Sequence, residues 1–188
     1  MLTDLLQDVS LFRILHQIDR DLAELCRQAR CPYCQHSLHY APYLRKPRGG
    51  PEKIPEEYLW RFSLCCGREG CRRRVLPPSC MFMGRRVYWH AVILIVMTLR
   101  QARANGIGAN RLMEMFSIPR KTIVRWISYF REEFTASREW LQLRGLVDAT
   151  VDSGNLPGSL VEHFLSYYSS AAGGLVACLK FFATGQAR

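Results

Sequence analysis

Five of the chain's eight cysteines lie in two short runs, Cys31-Pro32-Tyr33-Cys34 and Cys65-Cys66-Gly67-Arg68-Glu69-Gly70-Cys71. Thiolates two to four residues apart can chelate one metal ion, and two such pairs complete a tetrahedral shell of four sulfurs. The 31 residues between Cys34 and Cys66 are long enough for a β-hairpin to bring the pairs together. This spacing predicts a structural Zn2+ site held by Cys31, Cys34, Cys71 and one of Cys65 or Cys66. Cys66 is preferred because it leaves four residues before Cys71 rather than five. With every position filled by thiolate, no open coordination site remains for a catalytic water. His36 and His39 stand close to the first pair as substitute ligands. Asp4 and Asp8 occupy the place where a secretory leader would be basic, so a reducing, cytoplasmic setting is expected and disulfides are not. Cys26, Cys80 and Cys178 read as small core residues.

The frame around these cysteines is strongly basic. The chain of 188 residues has a formal net charge of +10, and residues 31–131 alone hold 18 basic and 5 acidic side chains. Both ends are slightly acidic. A polyanion such as double-stranded DNA is the natural partner for a basic block of this kind. Arg45, Lys46 and Arg48, in a Pro- and Gly-rich loop, and Arg72, Arg73 and Arg74, after the second cysteine run, are expected to grip phosphates. The longest apolar run, Val87 to Leu99, falls short of the about 20 residues that cross a bilayer and reads as a buried helix.

The elements that must position these groups can be read from periodicity. Leu11, Ile14, Leu15, Ile18, Leu22 and Leu25 fall at helical spacing and predict an amphipathic helix that packs on the core or forms a homodimer contact. Ser37 to Leu44 and Tyr58 to Leu64 read as strands, the second with Tyr58, Trp60 and Phe62 on one face; a third short strand follows Arg72 and stops at Pro77. A helix is predicted from Arg85 to about Ala104, ended by Asn105-Gly106. A shorter helix follows over Ala109 to Phe116. Another starts at Ser117-Ile118-Pro119, with Ser117 as cap, and turns Ile123, Trp126, Ile127 and Phe130 inward. In the tail, a loop is expected from Gly145 to Gly158, then a helix opened by a capping box at Ser159 and Glu162. A break at Ala171 to Gly174 precedes the last apolar segment.

The expected class is therefore α+β, mostly α: a small zinc-ribbon hairpin module joined to a helix-turn-helix bundle. The divisions are an amphipathic helix in 1–30, the ribbon in 31–84, the helix-turn-helix bundle in 85–134 and a helical tail in 135–188. Helix, tight turn and a second helix opening with Arg120-Lys121-Thr122 suit docking in a major groove, where the start of the second helix meets base edges and phosphates. Arg125 lies one turn beyond Lys121 on the same face, and Thr122 is a candidate contact for a phosphate or a thymine methyl group.

The order CPYC, then CC-x-x-x-x-C-RRR, then Ser-x-Pro-Arg-x-Thr-x-x-x-Trp resembles the N-terminal DNA-binding region of bacterial insertion-sequence transposases. It also resembles small zinc-ribbon proteins associated with mobile elements. The likeness covers residues 31 to 134 and implies recognition of element ends or a target site, in a nucleoid-associated protein. Such transposases continue into an RNase H-like domain with three separated magnesium-binding carboxylates. Only 54 residues follow Phe134, with Asp148, Asp152 and Glu162 as their sparse equivalents. Catalysis is not carried over, and no nucleophile elbow or Arg/His frame accompanies Ser153, His163 or Tyr167-Tyr168. The expected role is a non-catalytic accessory or regulatory factor; the alternative is an adaptor that docks a transposase or recombinase.

Overall fold

A computed structural model describes residues 2–101 and 106–185. Helix α1 spans Val9–Gln28, opened by the Asp8 carboxylate, which accepts the Ser10 N–H at 2.8 Å and so satisfies one of the free donors of the first turn. Its buried side is Leu11, Phe12, Leu15, His16, Asp19 and Ala23. The apolar stripe predicted from Leu11 to Leu25 is thus rotated: Ile14 and Leu25 stand exposed at 46% and 61%. The cause is a polar residue on the inner face. Asp19 is buried, and its carboxylate takes the Ser79 hydroxyl and, at 2.6 Å, the Cys80 N–H. The Arg61 guanidinium, also buried, supports that charge and donates to the Phe62 carbonyl at 3.0 Å and to that of Pro77.

After α1 the chain turns through left-handed Arg30 into the first cysteine run and then strand β1 (Leu38–Tyr40). The extended segments are shorter than predicted: β2 (Tyr43–Leu44), β3 (Trp60–Arg61), β4 (Leu64–Cys66) and β5 (Arg74–Val75). They form two antiparallel sheets, β1-β4-β5 and β2-β3. Leu38 pairs with Cys66 and Leu64 with Val75. Around 58–64 the single predicted face of Tyr58, Trp60 and Phe62 is not kept: Tyr58, in a helical turn, is buried, Trp60 is 38% exposed, and Arg61 and Ser63 are buried. Arg61 turns inward because its charge is answered by Asp19 and by backbone carbonyls.

Helix α2 (His90–Gln101) begins five residues later than predicted, and residues 102–105 lie outside the described ones. The backbone of 87–89 is occupied elsewhere: Arg48 N donates to Val87 O at 2.9 Å, Trp89 N to Arg48 O at 3.3 Å, and Phe82 bridges Trp89. Apolar periodicity alone does not reveal such a non-local pairing. At the crossing, a Cβ on Gly50 would stand 2.3 Å from the Trp89 indole nitrogen. Residues 90–98 of α2 are all buried and form the axis of the core.

Around that axis pack α3 (Ala109–Phe116), α4 (Arg120–Ser128) with its π-helical continuation Tyr129–Phe134, and α5 (Arg138–Leu143). Helices α6 (Gly158–Tyr167) and α7 (Ala171–Thr184) complete the bundle. The Gln101 side chain ties α2 to the start of α6 through Leu156 O at 2.7 Å and Gly158 N at 2.9 Å. Ser159 is no cap: its hydroxyl donates to Asp152 O at 2.7 Å. The small residues Ala171 to Gly174 form the first turn of α7, capped by Ser170, rather than a break; at Gly174 a Cβ would meet the Leu165 backbone of α6 at 2.9 Å.

The fold is α+β and mostly α, as expected. One core runs from Leu6 to Phe181 through the helices, and a separate small one consists of Cys31, Leu38, Leu64 and Cys66. Cys80 and Cys178 belong to the large core, and Cys26 packs against the small one. No helix among the described residues is long and apolar enough to cross a membrane.

Candidate metal centre and nucleic-acid interface

The small core has thiols where a larger domain would have aliphatic side chains. The sulfurs of Cys31, Cys34, Cys66 and Cys71 all lie within 4.8 Å of one another. Cys31 and Cys71 are 3.9 Å apart, Cys34 and Cys66 3.4 Å. Sulfurs about 2.3 Å from a central ion in a tetrahedron stand about 3.8 Å apart, whereas disulfide sulfurs stand about 2.05 Å apart. The donor set therefore fits a four-coordinate metal ion. The choice between neighbours is settled by strand alternation. Cys66 shares the inner face of β4 with Leu64, while Cys65 points away and lies 3.5 Å from the Arg72 carbonyl. His36 and His39 are outside the cluster, and His39 lies beside Gly67, where a Cβ would meet its ring at 2.6 Å.

The backbone prepares the thiolates. Each cysteine run turns so that an N–H two residues on meets a sulfur: His36 to Cys34, and Arg68 to Cys66 at 3.5 Å. Left-handed Gln35 permits the first of these turns, and Gln35 N donates to Cys31 O at 2.8 Å. The His36 N–H draws the Cys34 thiol down to about 7, while burial pushes Cys66 up to about 12. A bound cation is what would let all four ionise together.

The arginines around the ribbon divide into free and engaged. Arg72, Arg73 and Arg74 are exposed; Arg73 lies over the Tyr33 ring at 4.3 Å and Arg74 over Tyr43 at 5.6 Å. Lys46 and Arg48 are also exposed. Arg45 differs from expectation. It donates to Gly84 O at 3.2 Å and Arg86 O at 2.7 Å and lies over Phe82, so it braces the loop instead of standing free for phosphate.

The second basic surface is built by α3, a three-residue turn and α4. Ser117 ends α3 in the left-handed conformation (φ 51°) and does not cap α4, whose first flank is Pro119. Ile118 plugs the turn into the core, which fixes the angle between the helices. Ile123, Trp126 and Phe130 are buried as predicted, and Trp126 meets the Tyr88 ring edge-on at 5.1 Å. Arg120, Lys121 and Arg125 project from the opposite side, with Val124, 53% exposed, between them. Thr122 does not join them. It is buried, its hydroxyl accepting from Arg125 at 3.3 Å, so its predicted contact with a phosphate or thymine is corrected to a role in holding Arg125.

A surface hollow of about 510 Å³ opens beside α4, between it and the segment before α2. Arg85, Arg86 and Arg125 line it, with Thr122, Tyr129 and Glu133, over the buried rings of Tyr88 and Trp126. Arg85 and Arg86 stand in the turn before α2 rather than in the helix predicted from Arg85, and their place just before the apolar run is the only sequence signal of a surface role. A second, polar hollow is lined by Asp148, Glu162, His163 and Tyr167, the last 70% exposed. Asp148, Asp152 and Glu162 form no metal-ligating cluster among the described residues.

Comparisons with protein families, curated proteins and solved structures gave no match.

Proposed function

We propose that this protein is a double-stranded DNA-binding factor, with one structural Zn2+ in its ribbon and α4 as the element that enters the major groove. The observation that carries the reading is the outer face of α4. Arg120, Lys121 and Arg125 stand on a helix whose other face is locked by Ile123 and Trp126. None of the three cations makes an ion pair among the described residues. Unpaired cations on a rigid helix after a tight turn suit base edges and phosphates, and exposed Val124 suits a thymine methyl group. Zn2+ is preferred as the metal because four thiolates at tetrahedral separations are its usual structural shell. Its role would be to hold β1, β4 and β5 together and to present Arg72 to Arg74 beside the hairpin.

The likeness to transposase DNA-binding regions makes an accessory or regulatory role in a mobile element the favoured setting, without catalysis by this chain. A second reading, docking to a transposase, a recombinase or another copy through α1, draws on exposed Ile14 and Leu25. The two readings differ in salt dependence, since phosphate contacts release counterions and apolar contacts do not. Lys121→Ala and Arg125→Ala are each expected to weaken duplex binding and to flatten the plot of log affinity against log salt by about one unit per lost phosphate contact. Fluorescence anisotropy with labelled duplexes measures both. Wild-type slopes in both variants would return α4 to a structural role and favour docking.

A further inference from the structure

The hollow beside α4 has the chemistry of an anion site. Three arginines line it, Arg85, Arg86 and Arg125, against the single acidic residue Glu133. Among the described residues none of the three arginines is neutralised by an ion pair. Two of them are held in place. Arg86 lies over the Tyr129 ring with its guanidinium carbon 3.9 Å from the centroid. Arg125 donates to the Lys121 carbonyl at 3.4 Å and to the Thr122 hydroxyl at 3.3 Å. A guanidinium carries five N–H donors, more than its contact with Tyr129 uses, and its planar fork matches two oxygens of one phosphate. Like charges lining one hollow repel, so the arrangement is at its most favourable when an anion lies among them.

The position specifies which anion. Arg125 belongs both to the hollow and to the exposed face of α4, so the hollow continues that face without a break. Its floor, Tyr88 and Trp126, is part of the core, while Arg85 and Arg86 come from the turn before α2. We propose that this hollow is a phosphodiester site that clamps the DNA strand flanking the groove entered by α4. The proposal rests on the DNA-binding reading above and adds Arg85 and Arg86 to the interface. It also gives Glu133 a task, since one carboxylate at the rim disfavours any anion that does not reach the arginines.

The test uses the full chain and the double variant Arg85→Gln/Arg86→Gln, with folding checked by circular dichroism and thermal melting. Duplex affinity is expected to fall at least tenfold at moderate salt, with a salt slope lower by about one unit per arginine. Inorganic pyrophosphate serves as an independent probe: it should shift the Trp126 indole N–H resonance of wild type and leave that of the double variant unmoved. If Lys121→Ala weakens duplex binding while the double variant binds as wild type does, the clamp is overturned and α4 keeps its role. If wild type binds pyrophosphate at this hollow but no duplex, both the clamp and the DNA reading fall, and a free polyphosphate takes the strand's place.

Discussion

Cys66→Ser is expected to release the metal and unfold the ribbon, while Cys65→Ser, one residue away, leaves both unchanged. The two thiols differ in face rather than in chemistry. Cys66 is fully enclosed with Leu38 and Leu64, and its sulfur lies 3.4 Å from that of Cys34. Cys65 lies on the other face of β4, opposite His39 and Arg74. Two leucines are too small a core to hold three short strands, and a structural Zn2+ in such modules contributes about 10–16 kcal/mol of binding free energy that is also folding free energy. Removing one of four ligands should therefore cost several kcal/mol and abolish stoichiometric metal. Elemental analysis and denaturant unfolding of the two variants measure these effects. Equal metal content in wild type and Cys66→Ser would contradict the assignment.

The second large effect concerns the polar knot beneath α1. Asp19→Ala leaves the Ser79 hydroxyl and the Cys80 N–H without their acceptor and the buried Arg61 without the carboxylate that offsets its charge. Removing one partner from such a buried set costs about 3–5 kcal/mol, because the remaining charge stays uncompensated. The same carboxyl gives a pH dependence of definite sign. Burial raises Asp19 from the ordinary 3.8 to about 6, against the lowering pull of Ser79, Cys80 and Arg61. The folded state therefore holds this proton more tightly than the unfolded chain does. The stability it contributes is fully present below pH 3.8 and is lost as pH rises through about 6. The swing is on the order of 3 kcal/mol. Because acid also strips thiolate-bound metal, the relevant quantity is the difference between wild type and Asp19→Asn, measured by urea unfolding from pH 5 to 8. Wild type should gain on the variant as pH falls. Parallel curves would show that Asp19 stays ionised throughout.

What was legible in the sequence follows from which interactions are local. The paired cysteines, the helix at 109–116 and the inward set Ile123, Trp126 and Phe130 rest on short-range spacing and stand where that spacing put them, whereas the next helix starts at Arg120 rather than from a Ser117 cap. Asp19 and Arg61 are buried together although they stand 42 residues apart in the chain, and no local spacing marks either as a core residue. That same pairing rotates α1 and turns Arg61 of β3 inward. The late start of α2 has a similar origin, since Val87 to Trp89 is apolar enough for a helix but pairs with Arg48. Charge and position alone point to Arg45 and Thr122 as DNA contacts. Their side chains are committed to the loop carbonyls and to Arg125, which only the folded chain reveals. The hollow of Arg85, Arg86 and Arg125 joins residues about 40 positions apart, and no motif announces it.

Selection of binding sites from a random duplex library tests the central claim most directly, with wild type and Arg120→Ala run in parallel. Wild type is expected to enrich a defined motif, and Arg120→Ala to lose preference at one position of it, since a base-reading arginine contributes about 1–3 kcal/mol of discrimination. A library that emerges from wild type without enrichment, at salt where a labelled duplex is still bound, would contradict base reading by α4. Identical motifs from wild type and Arg120→Ala would remove Arg120 from the interface.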